Sequence, residues 1–123
     1  MLTVEDVARH FALSTGTVRK RIRSGTLPAA RVNRTYRLAW PDVWSQEAGP
    51  FPRRACEARY KQPLMTKKQL AARTGMSVRT VERWIADGLP ARPVFGAVRI
   101  NPADAAEWLK MRFGLELALE AGE

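Results

Sequence analysis

Two stretches that read almost alike decide the fold: STGTVRKRIRSGTLP at Ser14–Pro28 and SVRTVERWIADGLP at Ser77–Pro90. A shift of 63 residues aligns them on Ser, Thr-Val, Ile and Gly. The first copy then has one extra residue, after which a shift of 62 aligns Leu-Pro-Ala with Leu-Pro-Ala. Identities at successive turn and core positions indicate an internal duplication.

Each copy begins with the signals of two short helices. Thr3 and Asp6 have the spacing of a capping box, in which two side chains bond the free backbone N–H groups of a helix start. Thr66 and Gln69 have the same spacing in the second copy. Apolar residues follow at helical spacing. The serine that opens each quoted stretch is placed to cap a second helix, and a glycine is placed to end it. Two short helices joined by a tight turn predict a helix-turn-helix.

The residues after that glycine predict a β-hairpin and a third helix. Apolar residues alternate around Asn33–Thr35 in the first copy and around Phe95–Ala97 in the second. WPDVWSQEA and NPADAAEWLKMRF then begin with Pro and Asp, as helix starts do. We expect Trp40, Trp44 and Trp108 in the cores of these small units. The predicted fold class is mainly α with small β-hairpin wings, arranged as tandem winged helix-turn-helix domains.

The repeat also predicts the domain boundaries. They are a first copy at 1–48, a basic linker at 49–63, a second copy at 64–113 and an acidic C-terminal tail at 114–123. The middle of the linker, Arg53–Lys61, can form a short helix. Near the end, WLKMRFGLELALE has apolar residues at helical spacing but also alternates strictly over Leu109–Leu119, so helix and strand both stay open. This segment either packs on the second copy or forms a surface for self-association or for another partner.

The charge balance is strongly basic. The chain has 21 Lys and Arg against 12 Asp and Glu, a net charge of +9 and a pI near 10.8. Such a balance is typical of proteins that bind nucleic acid or an anionic membrane. No apolar run approaches the roughly 20 residues that a membrane span needs, and MLTVEDVARH does not resemble a signal peptide. We therefore expect a cytoplasmic, bacterial or phage-encoded protein with DNA and no membrane as partner.

The residues available for chemistry argue against an enzyme. One cysteine, Cys56, excludes an internal disulfide, and together with one histidine, His10, it cannot form a zinc site unaided. Cys56 is interpreted as an incidental linker thiol and His10 as a helix-surface residue. The chain has no phosphate-binding Gly-Lys-Ser/Thr loop and no Ser/His/Asp set. We expect no catalysis, no cofactor and no metal.

The outward face of each second helix is the candidate binding surface. The outward positions are Thr15, Gly16, Arg19, Lys20 and Arg23 in the first copy and Val78, Arg79, Glu82, Arg83 and Ala86 in the second. A solvated charged face is the ordinary explanation. The run RKRIR, however, has no nearby acid at helical spacing, so its charges repel unless an anion is present. In the second copy Glu82 weakens the field, and Trp84 can belong to the core.

Arginines also mark both predicted wings. The first wing has Arg31, Arg34 and Arg37, and the second has Arg92 and Arg99. Arginine at a wing suits contact with phosphates or insertion into a narrow minor groove. The wings are therefore expected to contact DNA beside the second helices.

The stretch LTVEDVARHFALSTGTVRKRIRSGTLPAARVNRTYRLAWPDV resembles the winged-helix domain of the MerR superfamily, in its excisionase-like subgroup. The shared order is helix, helix, G-x-L-P, Arg-bearing wing and Asp-led helix, and the second half follows it too. The resemblance implies that the second helix enters the major groove while the wing touches the backbone or minor groove. The candidate DNA contacts are Thr15, Thr17, Arg19, Lys20, Arg23, Arg34 and Arg37 in the first copy and Val78, Arg79, Thr80, Arg83 and Arg99 in the second.

These observations predict a sequence-specific double-stranded DNA-binding protein. An excisionase-like recombination directionality factor, with an integrase as possible partner, and a small transcriptional regulator of a mobile element both fit. Two linked readers suit a bipartite or direct-repeat site. Two alternatives stay open. MTKKQLAARTGMSVRTVERWIADGLP is similar to the N-terminal domain of phage terminase small subunits, and one copy can instead serve a protein-interaction adaptor. The dimerisation helix and effector domain of MerR regulators have no counterpart, so ligand sensing is not expected.

Overall fold

The computed structural model describes residues 1–115, and about half of this part is helical, with one two-stranded antiparallel hairpin. The elements in chain order are α1 Val4–Phe11, α2 Thr15–Arg23, β1 Ala30–Val32, β2 Thr35–Arg37, α3 Trp40–Ser45, a 3-10 turn Arg54–Cys56, α4 Glu57–Tyr60, α5 Lys67–Thr74, α6 Val78–Ala86 and α7 Pro102–Phe113. Residues 1–48 are called the first half below, and residues 64–113 the second half. No helix among the described residues is long and apolar enough to cross a bilayer.

The first helix of each half begins with the predicted capping box. The Thr3 hydroxyl accepts from the Asp6 N–H at 3.1 Å, and the Asp6 carboxylate accepts from the Thr3 N–H at 3.0 Å. In the second half the Thr66 hydroxyl accepts from the Gln69 N–H at 3.1 Å, and the Gln69 side-chain oxygen accepts from the Thr66 N–H at 2.9 Å. The bond from the Thr3 backbone, more than any other contact, lowers the pKa of Asp6. Local sequence therefore sets both helix starts.

The second helix of each half begins at the predicted serine. Ser14 accepts from the backbone N–H of Thr17 and Ser77 from that of Thr80, both at 3.1 Å. Each serine hydroxyl also bonds the threonine hydroxyl, at 2.9 and 3.0 Å. α5 and α6 therefore repeat the capping pattern of α1 and α2.

The hydrophobic core of the first half contains residues from the second half. Its buried members are Val4, Val7, Ala8, Phe11, Val18, Leu27, Leu38 and Val43, together with Leu64 and Val94. Phe95 also packs there, edge-on to the ring of Phe11 at 5.8 Å between centroids. The first half is thus closed by side chains that lie beyond the linker.

The second half has a core of its own. Its buried members are Met65, Leu70, Ala71, Val81, Trp84, Leu89, Ile100, Ala105 and Leu109. Trp84 is therefore a core residue, with Trp108 half-buried against it. In the first half, the predicted burial of Trp44 is confirmed, and Trp40 packs half-buried on the same core.

The predicted hairpin of the first half is present. Ala30 pairs with Arg37, and Val32 with Thr35. The two turn residues, Asn33 and Arg34, have φ values of 48° and 68°. Positive φ at both central positions is the geometry of a two-residue turn that matches the twist of a hairpin.

The second predicted hairpin lacks regular strands and is reduced to a tight turn. Val94 and Ala97 exchange both backbone bonds at 2.9 Å around Phe95 and Gly96. Pro93 carries no N–H group, so it cannot extend this ladder as a donor. Its carbonyl instead accepts from the N–H of Ala48 in the first half at 2.8 Å. The prediction of a second wing that stands free is wrong, because this turn packs against the first half.

The linker is ordered and connects both halves. The predicted short helix within Arg53–Lys61 is confirmed as α4. The indole N–H of Trp44 donates to the Tyr60 carbonyl at 3.0 Å, and the Tyr60 hydroxyl donates to Asp104 at 3.0 Å. Arg59 donates to the same carboxylate at 2.8 Å. The linker therefore bonds α3 on one side and α7 on the other.

The interpretation of His10 as a helix-surface residue is wrong. Only 3% of the residue is exposed, and its Nε2 lies 2.8 Å from the carboxylate of Glu47. His10 follows Val7 by three positions, which places it on the inward face of α1. The centroids of its ring and of the Trp40 ring lie 4.9 Å apart in an edge-on arrangement. The one histidine of the chain is a structural residue.

The C-terminal segment is described only in part. α7 continues to Phe113, so the alternating pattern that starts at Leu109 is helical there and the strand interpretation is wrong for this stretch. Gly114, with φ of 69°, ends the helix. The rest of the pattern, and most of the predicted tail 114–123, lies outside the described residues.

Candidate nucleic-acid interface

A groove lies between α2, the β1–β2 hairpin and the start of α1. Its volume is about 430 Å³. Five arginines line it, and together they are called the arginine groove: Arg19, Arg23, Arg31, Arg34 and Arg37. The α2 helix supplies the first two at i, i+4 spacing, which puts them on one helix face. The hairpin supplies the other three, so two separate elements converge on one cationic surface.

The charge of the groove is largely uncompensated. Among the described residues that line it, Glu5 supplies the one carboxylate. Glu5 lies 3.5 Å from Arg19, and both side chains are substantially exposed. Exposed ion pairs contribute only about 0–1 kcal/mol, so an incoming phosphate can replace this one at little cost. The groove is therefore suited to binding a polyanion.

The structure places the predicted α2 contacts in different settings. Arg19 and Arg23 line the groove, while Lys20 is exposed beside it. Thr15 and Thr17 lie at the start of the helix, and both are half-buried. The hydroxyl and backbone of Thr17 bond the Ser14 cap, so this residue has a structural role in holding the helix start.

Arg34 occupies a conformation that its residue type disfavours. Its φ of 68° lies in the left-handed region, where a side chain costs about 1–2 kcal/mol. The matching position of the second turn is Gly96, with φ of 83°, which carries no such cost. Strain of this kind is typical of positions where the side chain is needed for function. The turn of the β1–β2 hairpin thus has arginine at the position where the turn that packs against the first half has glycine.

The groove also contains residues beyond the predicted contacts. Arg31, which the sequence places in the wing, and Tyr36, which no sequence signal marks, both line it. The guanidinium of Arg31 lies 5.9 Å from the centre of the Tyr36 ring, its partner across the hairpin. The hairpin register is the signal that brings these two together, since directly opposed residues share a face.

The comparisons with known proteins bear on this groove. Residues 1–39 match the family model of the helix-turn-helix domain. That family is a DNA-binding one, so the match implies DNA as a partner. The matched residues include α1, α2 and the hairpin, and thus every element that lines the arginine groove. Neither a search of curated proteins nor one of solved structures found a match.

The second half offers a smaller cationic surface than the first half. On α6, Arg79 and Arg83 are exposed at i, i+4 spacing, and Val78 is exposed beside them. Thr80, like Thr17, bonds its serine cap. Glu82 is paired with Lys67 of α5 at 2.7 Å. Two predicted cations thus share one face of α6.

Both halves join their first two helices by an ion pair, with the charges exchanged. In the first half the acid, Glu5, is on α1 and the base, Arg19, is on α2. In the second half the base, Lys67, is on α5 and the acid, Glu82, is on α6. The repeat aligns Arg19 with Glu82. The exchange keeps the helix contact but makes the outward face of α6 less positive.

Arg99 lies apart from the other predicted contacts. Its Nε donates to the carbonyl of Phe11 at 2.7 Å and its Nη2 to that of Ala12 at 2.9 Å. Burial lowers the pKa of this guanidinium. The contact satisfies carbonyl groups at the C-terminal end of α1. Arg99 therefore joins the two halves instead of extending from a wing beside the Arg79 and Arg83 face of α6.

Arg92, the other arginine of the second predicted wing, is almost wholly buried. Only 1% of the residue is exposed. Its guanidinium bonds the Glu47 carboxylate, and Nη1 donates to the Pro50 carbonyl at 2.7 Å. The prediction that it contacts DNA is wrong, because the turn that carries it packs against the first half.

Proposed function

We propose that the protein is a sequence-specific double-stranded DNA-binding protein that uses α2 in the major groove and the β1–β2 hairpin on the adjoining backbone or minor groove. The observation that carries the proposal is the arginine groove, formed by two elements of the helix-turn-helix domain. The strained backbone of Arg34 supports it, since a turn selected for stability alone favours glycine there.

The groove residues supply two kinds of contact. Arg19 and Arg23 extend from the helix that enters the major groove, where a guanidinium can bond the O6 and N7 atoms of guanine. Arg31, Arg34 and Arg37 extend from the hairpin, where they neutralise phosphates or enter a narrow minor groove. The helix contacts read sequence, and the hairpin contacts set position. No catalytic step belongs to this proposal.

The second half is proposed as a second reader. Arg79 and Arg83 give α6 an exposed cationic face, though without a wing beside it. Two readers on one chain suit a bipartite or direct-repeat site and need no dimer. We propose an excisionase-like recombination directionality factor or a small transcriptional regulator of a mobile element as the biological role. Both roles use these contacts.

Selection from random duplexes, followed by fluorescence anisotropy on the selected sequence, tests DNA binding. The double variant Arg23→Ala, Arg34→Ala removes one groove arginine from the helix and one from the hairpin. The double variant Arg53→Ala, Arg54→Ala is the matched control, since both residues are exposed in the linker and the same charge is lost. Each specific contact contributes about 1–3 kcal/mol, so the groove variant should bind at least about 10-fold more weakly than the control. Equal binding by the two variants would contradict the proposal.

Footprinting on the source DNA separates the two biological roles. A protected site beside an integrase attachment site favours the recombination role, and a site that overlaps a promoter favours transcriptional control. Addition of the integrase to the first kind of site should extend the footprint.

A further inference from the structure

The two halves are joined by buried contacts as well as by the chain. Glu47 of the first half bonds Arg92 of the second, and both side chains are almost fully buried. Arg99 of the second half bonds two carbonyls at the end of α1. Val94 is fully buried in the core of the first half, and the Leu64 N–H donates to the His10 carbonyl at 2.8 Å. These contacts are called the brace.

The brace reaches both recognition helices. On the side of α2, the guanidinium of Arg21 lies 4.7 Å from the centre of the Phe95 ring in the second turn. On the side of α6, Leu89 bonds the carbonyl of Trp84 and enters the second core just before Arg92. Short, packed segments therefore connect each helix to the brace, and a flexible tether does not intervene.

From these contacts we infer that α2 and α6 are held at one fixed separation and angle, so that the bipartite DNA site has a spacer of invariant length. The inference rests on the proposed function, because it concerns how two readers meet one duplex. Inserting one base pair moves the two half-sites apart by about 3.4 Å and rotates them by about 35°. A rigid protein cannot follow both half-sites after that change without breaking buried contacts.

A flexible tether would behave differently. It tolerates small changes in spacing, and insertion of one full helical turn returns both half-sites to the same face of the duplex. A rigid protein of this size does not regain affinity when one helical turn of DNA is inserted, since the half-sites are then about 34 Å further apart. Insertion of ten base pairs thus distinguishes the two arrangements.

The test measures anisotropy on the selected duplex with 0, 1, 5 or 10 base pairs inserted between the half-sites. We expect every insertion to lower the affinity about 10- to 100-fold, to that of a duplex with one half-site. The variant Arg79→Ala, Arg83→Ala is the control: it should bind every duplex alike, because its second reader no longer contributes. Restored affinity at ten inserted base pairs, or a loss below twofold at one, would overturn the inference.

Other results separate this inference from the proposed function. If selection yields a single half-site, or if the variant Arg79→Ala, Arg83→Ala binds the parent duplex as the wild type does, fixed spacing is overturned while DNA binding by the helix-turn-helix domain stands. If no duplex is bound more tightly than random DNA, the proposed function itself fails.

Discussion

Arg92 donates a hydrogen bond to Glu47, joining two buried side chains that lie 45 residues apart on opposite sides of the linker. The other carboxylate oxygen of Glu47 lies 2.8 Å from Nε2 of His10 on α1. One carboxylate therefore connects a helix of the first half to a turn of the second. This arrangement makes the packing of each half depend on the other.

Arg92→Met should destabilise the protein strongly. The substitution keeps much of the side-chain volume but leaves Glu47 buried without its guanidinium partner, which costs about 3–5 kcal/mol in comparable pairs. Urea unfolding followed by tryptophan fluorescence measures the loss. The double variant Glu47→Met, Arg92→Met is the control, since replacing both charges by apolar groups is far less costly. If the double variant is no more stable than Arg92→Met, the loss does not come from the unpaired charge.

The two halves should unfold together in one transition. Val94 and Leu64 complete the core around Phe11, so opening the second half exposes the core of the first. Calorimetry should show equal calorimetric and van't Hoff enthalpies, which is the test of a two-state transition. A chain cut to residues 1–48 should remain unfolded, because it lacks those side chains and Arg92. Two separate transitions, or a folded fragment, would show that the halves are independent.

Tyr60 should ionise at unusually high pH. Burial raises the pKa of its hydroxyl above the ordinary value of about 10, and the bond to Asp104 raises it further. The unfolded chain loses this proton first, so stability should fall as pH rises from about 10 through the higher folded value. Absorbance at 295 nm follows the titration in Tyr36→Phe, which leaves one tyrosine. A midpoint at or below 10 would contradict this assignment, and Asp104→Asn should lower the midpoint.

Features set by neighbouring residues could be predicted from the sequence. The capping boxes and serine caps depend on residues three positions apart, and each forms as expected. The hairpin around Asn33 and Arg34 likewise follows from a local turn signal. These local elements bring together Arg19, Arg23, Arg34 and Arg37, which is why the groove of the helix-turn-helix domain could be anticipated.

Features set by distant residues could not be predicted in this way. Arg99 bonds carbonyls 87 and 88 residues away, and His10 bonds a carboxylate 37 residues away. An arginine that lies in a hairpin pattern looks the same in sequence whether it contacts phosphate or a buried carboxylate. Pro93 is a local signal against a regular second hairpin, since a residue without an N–H group weakens a strand. Only the three-dimensional packing distinguishes the free wing from the packed turn.

Removal of helix charge should change the salt dependence of DNA binding. Each phosphate contact that is lost reduces the slope of log affinity against log salt by about 0.9. Arg19→Ala, Lys20→Ala should therefore lower the slope by about 0.9, because Lys20 is expected at a phosphate and Arg19 at a base edge. Anisotropy between about 50 and 200 mM salt measures the slope. The linker variant Arg53→Ala, Arg54→Ala should keep the wild-type slope. A slope that is the same in both variants would argue against contact between α2 and the duplex.

Arg34→Gly should separate stability from DNA binding. Glycine relieves the strain of φ 68°, as Gly96 does in the second turn, so the free energy of unfolding should be unchanged or rise by up to about 1 kcal/mol. DNA affinity should nevertheless fall about 5-fold or more, because a guanidinium leaves the groove. Urea unfolding and anisotropy on the selected duplex measure the two effects. Arg34→Ala keeps the backbone strain and should lose the same DNA affinity as Arg34→Gly. If the two variants differ in stability but bind DNA equally, the arginine side chain is retained for contact with DNA. Unchanged affinity in both variants would instead mean that the wing does not touch the duplex.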